Sequence, residues 1–227
     1  MIEFRGITYV PEKGAAPLFS DLSFVVPKGE FCLITGKTGT GKSTILKLLT
    51  RELLPVSGEI RIGTHSFSSA SRRRETTVLR RSIGCVFQDF ALLADKTISE
   101  NVAFALEVQR KYSRDKIGNA VSAKLEKVGL SEKANVFPRE LSVGERQRVS
   151  IARALVSEPL VLLADSATSQ LDPESAREIF AILKDENIRG MTIIKTMNDA
   201  RFAKELPKNA RWLELRDGKV SPFLPET

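Results

Sequence analysis

Near the start of the chain, Ile2, Phe4, Leu22, Phe24 and Val26 alternate with polar or small neighbours. A period of two predicts strands with one buried face. The pattern then changes. Phe31 to Thr35, Ile83 to Phe87, Leu160 to Ala164 and Met191 to Thr196 are short apolar runs without alternation. Such runs predict strands buried on both faces of a mostly parallel sheet. Thr44 to Leu54 reads as a helix ending near Pro55. Asp172-Pro173 opens another, with Asp as its cap and Pro in the first turn. From about Phe90 to Ser157 strand signals are few, and the chain reads mostly helical. Trp212 to Val220 reads as a hairpin turning at Asp217-Gly218. Strand–helix alternation around a helical insert predicts an α/β fold with a helical subdomain. The expected organisation is one domain over 1–227. Residues 1–88 and 158–227 form its core and β region, and 89–157 the helical part.

Composition adds limits. With 227 residues and 42% hydrophobic positions the chain can bury a real core. Lys and Arg exceed Asp and Glu by 35 to 28, a net charge of +7 that suits an anionic partner. Two cysteines exclude a disulfide framework. The lack of a long apolar run excludes a membrane span, and the start does not read as a signal segment. A cytoplasmic protein is expected. One histidine, His65, is present, so any mechanism needing a second must borrow it. The basic stretch Ser66 to Arg74 has no aromatic residues among its arginines. It reads as a solvated loop entering a helix and not as a nucleic-acid platform.

The sharpest chemical signal is Gly36-Lys37-Thr38-Gly39-Thr40-Gly41-Lys42-Ser43. It fits G-x-x-x-x-G-K-[ST] and lies between an expected buried strand and an expected helix, the context this phosphate loop requires. The glycines let backbone N–H groups turn toward phosphate, and the helix N-terminus adds partial positive charge. Lys42 can reach the β/γ-phosphates, and Ser43 can offer its hydroxyl to Mg²⁺, with Thr44 next in the helix. Val161 to Asp165 is an apolar strand ending in a carboxylate, a second position for holding Mg²⁺. In Leu141-Ser142-Val143-Gly144-Glu145, Ser142 and Glu145 have the spacing of a capping box ahead of an apolar helical stripe. A capped helix start with Gly144 at its second position is also an anion site.

Here the chain resembles the ATP-binding-cassette (ABC) ATPases over essentially its whole length. The phosphate loop is at 36–43, the Q-loop glutamine at Gln88, the signature at 141–145, and the strand-end Asp at Asp165. The D-loop is Ser169-Gln170-Leu171-Asp172. The resemblance implies an ABC-type P-loop core of mixed sheet and helices, an antiparallel β subdomain and a helical subdomain. It implies ATP and Mg²⁺ as ligands, with Ser43, Gln88 and Asp165 around the metal. It also implies a head-to-tail dimer of cassettes, homo- or heterodimeric. Ser142, Gly144 and Glu145 would then serve the partner's nucleotide, and Asp172 would organise the contact. Leu79 to Asp89 and Leu92 to Ala103 look like the FtsE group of bacterial cell-division ATPases, which act with the membrane protein FtsX. Lipoprotein-release and macrolide-export ATPases are the next nearest. The implied setting is the inner face of the cell membrane, beside an integral membrane subunit, FtsX-like or a permease. A nucleic-acid role is disfavoured, since such relatives carry coiled coils or paired cassettes in one chain.

Three positions depart from that pattern. Ser166 stands where a water-polarising Glu is usual, followed by Ala167 in place of Pro. Thr196-Met197-Asn198 stands where Thr-His-Asp is expected, which puts Met197 at the switch-histidine position. The adenine-stacking aromatic falls near Pro11, and Tyr9 is its nearest substitute or else a packing residue. A positioned general base is worth roughly 10²–10⁴ in rate. Binding groups are all present, so retained ATP binding with weak own-site hydrolysis is expected. An ATP-dependent dimerisation switch with little turnover is the alternative.

Overall fold

The computed structural model describes residues 1–12, 14–70, 77, 79–198 and 205–223. The basic stretch at 71–74 lies outside the described residues, and so does Asp199.

Two sheets carry the fold. The first is antiparallel, with strand order β2-β1-β4-β5, formed by β1 (Ile2–Tyr9), β2 (Phe19–Val26), β4 (Ser57–Ile62) and β5 (His65–Phe67). Its inward positions are those marked by the alternation, with Ile2, Phe4, Leu22 and Val26 all buried. The second has order β10-β9-β3-β8-β7-β6. It contains β3 (Phe31–Thr35), β6 (Ile83–Val86), β7 (Val161–Ala164), β8 (Thr192–Thr196), β9 (Arg211–Arg216) and β10 (Lys219–Pro222). Strands β9, β3, β8, β7 and β6 pair in parallel, and β10 closes the edge antiparallel to β9. Every residue of β3, β7 and β8 is buried. That is why these segments lack alternation: each face of the sheet is covered.

Helix α1 (Lys42–Leu49) follows β3. It starts two residues before the expected Thr44 and stops five before Leu54. Arg51 adopts a left-handed φ of 55°, and the N–H groups of Glu52 and Leu53 both turn back to the Lys47 carbonyl. The chain leaves the helix at that turn, well before Pro55. The helical region consists of α2 (Ile98–Glu107), α3 (Arg114–Lys127) and α4 (Val143–Leu155), with two short 3₁₀ turns between α3 and α4. Its own core gathers Ile98, Val102, Leu125, Leu141 and Val149. Helix α5 (Pro173–Ile188) lies between β7 and β8 in sequence and packs Ile179, Phe180 and Leu183 on the parallel sheet. Lys127 of α3 pairs with Asp185 and Glu186 of α5, tying the helical region to the core. No described helix is long and apolar enough to cross a membrane.

In a parallel sheet all strands end on one side, and ligands gather there. The carboxyl ends of β3, β6, β7 and β8 lead into the phosphate loop, Gln88, Asp165 and Asn198 respectively.

Candidate nucleotide site

The phosphate loop is built by glycines that no other residue replaces. Gly36 has φ 144°, and a Cβ there would stand 2.5 Å from the Leu215 carbonyl oxygen. The loop therefore runs directly against β9. Gly41, at φ 103°, is the N-cap of α1 and supplies no side-chain cap, and the first turn holds no acidic residue. The first-turn N–H groups of α1 are thus left for an outside acceptor, and the helix dipole adds positive charge there. Thr40 Oγ1 donates to the Lys37 carbonyl at 2.9 Å and braces the loop. Ser43 and Thr44 lie at the start of α1, with Ser43 exposed.

Lys42 is folded over this cradle. Its Nζ donates to the carbonyls of Gly36 at 2.7 Å and Lys37 at 2.8 Å. Burial pulls its pKa down, and the nearby Asp165 charge opposes that. The ammonium is held among acceptors weaker than phosphate and can exchange them for an anion.

Asp165 leaves the end of β7, its N–H donating to the Val86 carbonyl at 2.9 Å. Thr196 Oγ1 donates to Asp165 Oδ1 at 2.6 Å and accepts from the Ser166 N–H at 2.9 Å. One threonine hydroxyl therefore fixes both residues at the strand end. Ser43 and Asp165 line the same small cleft. Its donor set of hydroxyl and carboxylate oxygens suits a hard cation such as Mg²⁺, whose chemistry is to neutralise phosphate charge. Gln88 is exposed beyond β6 and does not line that cleft.

Ser166 is half-buried with φ 47°, an uncommon conformation for a residue with a Cβ. Its carbonyl accepts from both the N–H and the Oγ of Ser169. The turn after Asp165 is thus held from within and from β8.

Two sequence expectations change at this point. Met197 does not face the nucleotide side. Its N–H continues the strand pairing to the Ile34 carbonyl, and its side chain is buried in the cluster of Phe31, Leu33 and Trp212. Side chains alternate along a strand. Thr196 faces Asp165, whereas the Met197 side chain is buried among apolar residues, and Asn198 beyond the strand is exposed. Tyr9 is also buried, its ring 6.4 Å from that of Phe19 at the core. Its place is in packing, and it presents no open face to an adenine.

The signature lies apart from this cleft. Ser142 accepts from the Glu145 N–H at 3.2 Å, and Glu145 accepts from the Ser142 N–H at 2.9 Å, the reciprocal capping box. Lys133 pairs with the other Glu145 oxygen. Together with the box, that pair holds the Glu145 carboxyl below its usual range, the Lys133 bond contributing most. Gly144 is buried, and a Cβ on it would meet Ser175 Oγ at 2.7 Å. Close approach of α4 to α5 therefore requires this glycine. Asp172 caps α5 by accepting from the N–H groups of Glu174 and Ser175, both at 3.0 Å. Ser175 thus links the signature helix to the cap of α5. Among the residues that sequence reasoning missed are Thr196 and Lys195. A hydroxyl and an ammonium inside an otherwise apolar strand were the available signal.

Comparison with known proteins agrees with the geometry. Residues 19–169 match the ABC transporter family. The chain is 44% identical over 220 residues to the cell division ATP-binding protein FtsE of Mycobacterium tuberculosis, covering 97% of this chain and 94% of that protein. It is 40% identical to FtsE of Escherichia coli, covering 97% of each. The dimeric structure of MJ0796, a bacterial ABC transporter cassette, superposes with a TM-score of 0.87 at 32% identity and 97% coverage of both chains. A dimer of that cassette in a post-hydrolysis state holds ADP and Pi. With its phosphate loop, strand-end aspartate and capped signature helix in this order, the chain belongs to the ABC transporter family of ATP-hydrolysing cassettes.

Proposed function

We propose that this chain is the ATP-binding subunit of an FtsE-like membrane complex, and that its own site binds Mg²⁺-ATP but hydrolyses it slowly. One contrast carries the reading. The phosphate cradle has all its parts, whereas the residue after Asp165 is a serine with no basic group. At neutral pH the Ser166 hydroxyl accepts no proton and at most orients a water. Met197, at the switch-histidine position, is buried and offers a phosphate no hydrogen-bonding nitrogen. Ser43 and Asp165 would hold Mg²⁺, with Gln88 joining them from the end of β6. The exposed Ser142 hydroxyl and the N-terminus of α4 would face the nucleotide of a second cassette, with Gly144 setting the helix packing and Glu145 the cap. ATP then acts as a clamp between cassettes.

A groove in the structure supports docking of a membrane partner. Beside Gln88 lies a groove of about 560 Å³ lined by Phe87, Phe104, Val108, Arg80, Arg81 and Arg153. Its exposed apolar side chains suit a segment of an FtsX-like subunit at the inner membrane face. A heterodimer is the second reading. It is favoured by the intact capping box of the signature, which could complete a competent site on a partner cassette even where this chain's own site is weak.

The test measures Mg²⁺-ATP binding and turnover side by side on the purified protein and on a Ser166→Glu variant. The expected result is tight binding with little turnover, rising by about 10²–10⁴ in the variant. Brisk turnover by the unaltered protein overturns the slow-site reading.

A further inference from the structure

Lys195 is the least expected residue of the interior. It lies in mid-β8 between Ile194 and Thr196, pairs with Ala164 of β7 and Leu33 of β3, and is fully buried. Its Nζ donates to Thr168 Oγ1 at 3.0 Å and sits 5.1 Å from the centre of the Phe180 ring. No carboxylate among the described residues lies within ion-pair distance of it. Burial of an ammonium with so few partners is unfavourable, and it drives the Lys195 pKa down to about 7 against the opposing charge of Asp165. Packing does not call for a lysine here: Ile193 and Met197 occupy the same face of the strand. A sequence that breaks the burial rule at one interior position points to a function there.

The position of Thr168 shows which one. Thr168 is itself buried and accepts the N–H of Leu171. It stands between Asp165-Ser166 on one side and Ser169 to Asp172 on the other. Consecutive residues of β8 grip this turn at two points. Thr196 holds Asp165 and Ser166, and Lys195 holds Thr168. Side-chain alternation places the two grips on opposite faces of the strand. The segment therefore cannot roll about the strand end without breaking one of them.

We propose that Lys195 is a positioning residue that, through Thr168, holds the 165–172 segment in the shape a second cassette requires. The role rests on the ATP-driven pairing of cassettes proposed above. Lys195 touches no nucleotide; its effect passes through the backbone of the turn. Removing it should relieve a buried charge and yet loosen the contact segment, so stability and pairing move in opposite directions. A lysine that merely filled space would move them together or leave pairing untouched.

The experiment compares the unaltered protein with Lys195→Met, Thr168→Val and the double variant. Thermal unfolding, Mg²⁺-ATP affinity at low protein concentration, and ATP-dependent dimerisation by sedimentation are measured for each. Lys195→Met is expected to raise the melting temperature and leave ATP affinity within about twofold, while weakening dimerisation about tenfold, the scale of one charge-assisted hydrogen bond. Thr168→Val is expected to lower the melting temperature, since it strands the ammonium, and to weaken dimerisation similarly. The double variant should pair no worse than either single one, because both remove the same bond. Unchanged dimerisation in Lys195→Met, or a loss accompanied by a lower melting temperature, overturns the positioning role alone. An unaltered protein that stays monomeric in Mg²⁺-ATP overturns it together with the clamp reading.

Discussion

The two ends of the nucleotide cleft are built differently. On the β3 side, the phosphate loop offers uncapped N–H groups, a lysine lying over the cradle and glycines whose geometry nothing larger satisfies. On the β7–β8 side, the Thr196 hydroxyl fixes both Asp165 and Ser166, and the residue after Asp165 carries a hydroxyl and no basic group. Under the slow-site reading, binding and chemistry are therefore separable in this protein. The first depends on backbone geometry and fixed charge. On that reading the second depends on the side chain after Asp165, where Ser166 offers only a hydroxyl.

Lys42→Ala breaks the comparison from the binding side, with the largest expected effect. Two charge-assisted contacts to phosphate are lost, which lowers ATP affinity by about 10²–10⁴-fold. Calorimetric titration with Mg²⁺-ATP checks this, and circular dichroism confirms that the empty protein remains folded. Unchanged affinity in that variant would mean that the cradle is not where ATP binds.

These two ends also differ in how readable they are. The phosphate loop is legible because its function is local: eight consecutive residues, a strand before and a helix after. The parallel strands are legible because burial on both faces removes alternation. The strand-end chemistry of β8 is harder to read. Met197 stands at the switch-histidine position in the sequence, yet its side chain is buried, because the facing of a strand end is fixed by its pairing partners, here the Ile34 carbonyl and Asp165. Tyr9 is unreadable for a similar reason. Its alternation is that of a half-buried strand, and whether its ring meets Phe19 or open space depends on β2. The early stop of α1 rests on a left-handed Arg51, which no local residue preference signals.

Lys195 sharpens the comparison through pH. Its folded-state pKa, near 7, lies below the ordinary 10.5 because burial disfavours the charge. Between these values the unfolded chain binds a proton that the folded chain does not. Stability therefore rises with pH across this window, and the full penalty is present below about 7. Relative to Lys195→Met, the unaltered protein should be less stable by about 5 kcal/mol at pH 6, with the gap closing as pH approaches 10. Urea unfolding of both proteins at several pH values measures it. A gap that stays constant with pH would show that the lysine is not held as a reluctant charge.

The smallest expected effect concerns Ser142, which has two roles that a single substitution confuses. Its hydroxyl oxygen caps α4 in this chain, and under the clamp reading it also meets a second cassette's nucleotide. Ser142→Ala removes both and costs about 1 kcal/mol of stability through the lost cap. Ser142→Gly removes the hydroxyl while costing only a few tenths of a kcal/mol, since glycine is tolerated at helix N-caps. If both variants lose ATP-dependent dimerisation equally, the hydroxyl itself makes the contact across the dimer. If only the alanine variant pairs poorly, in step with its lower stability, the serine acts by shaping the helix start. The N–H groups of α4 would then be what the partner's nucleotide meets.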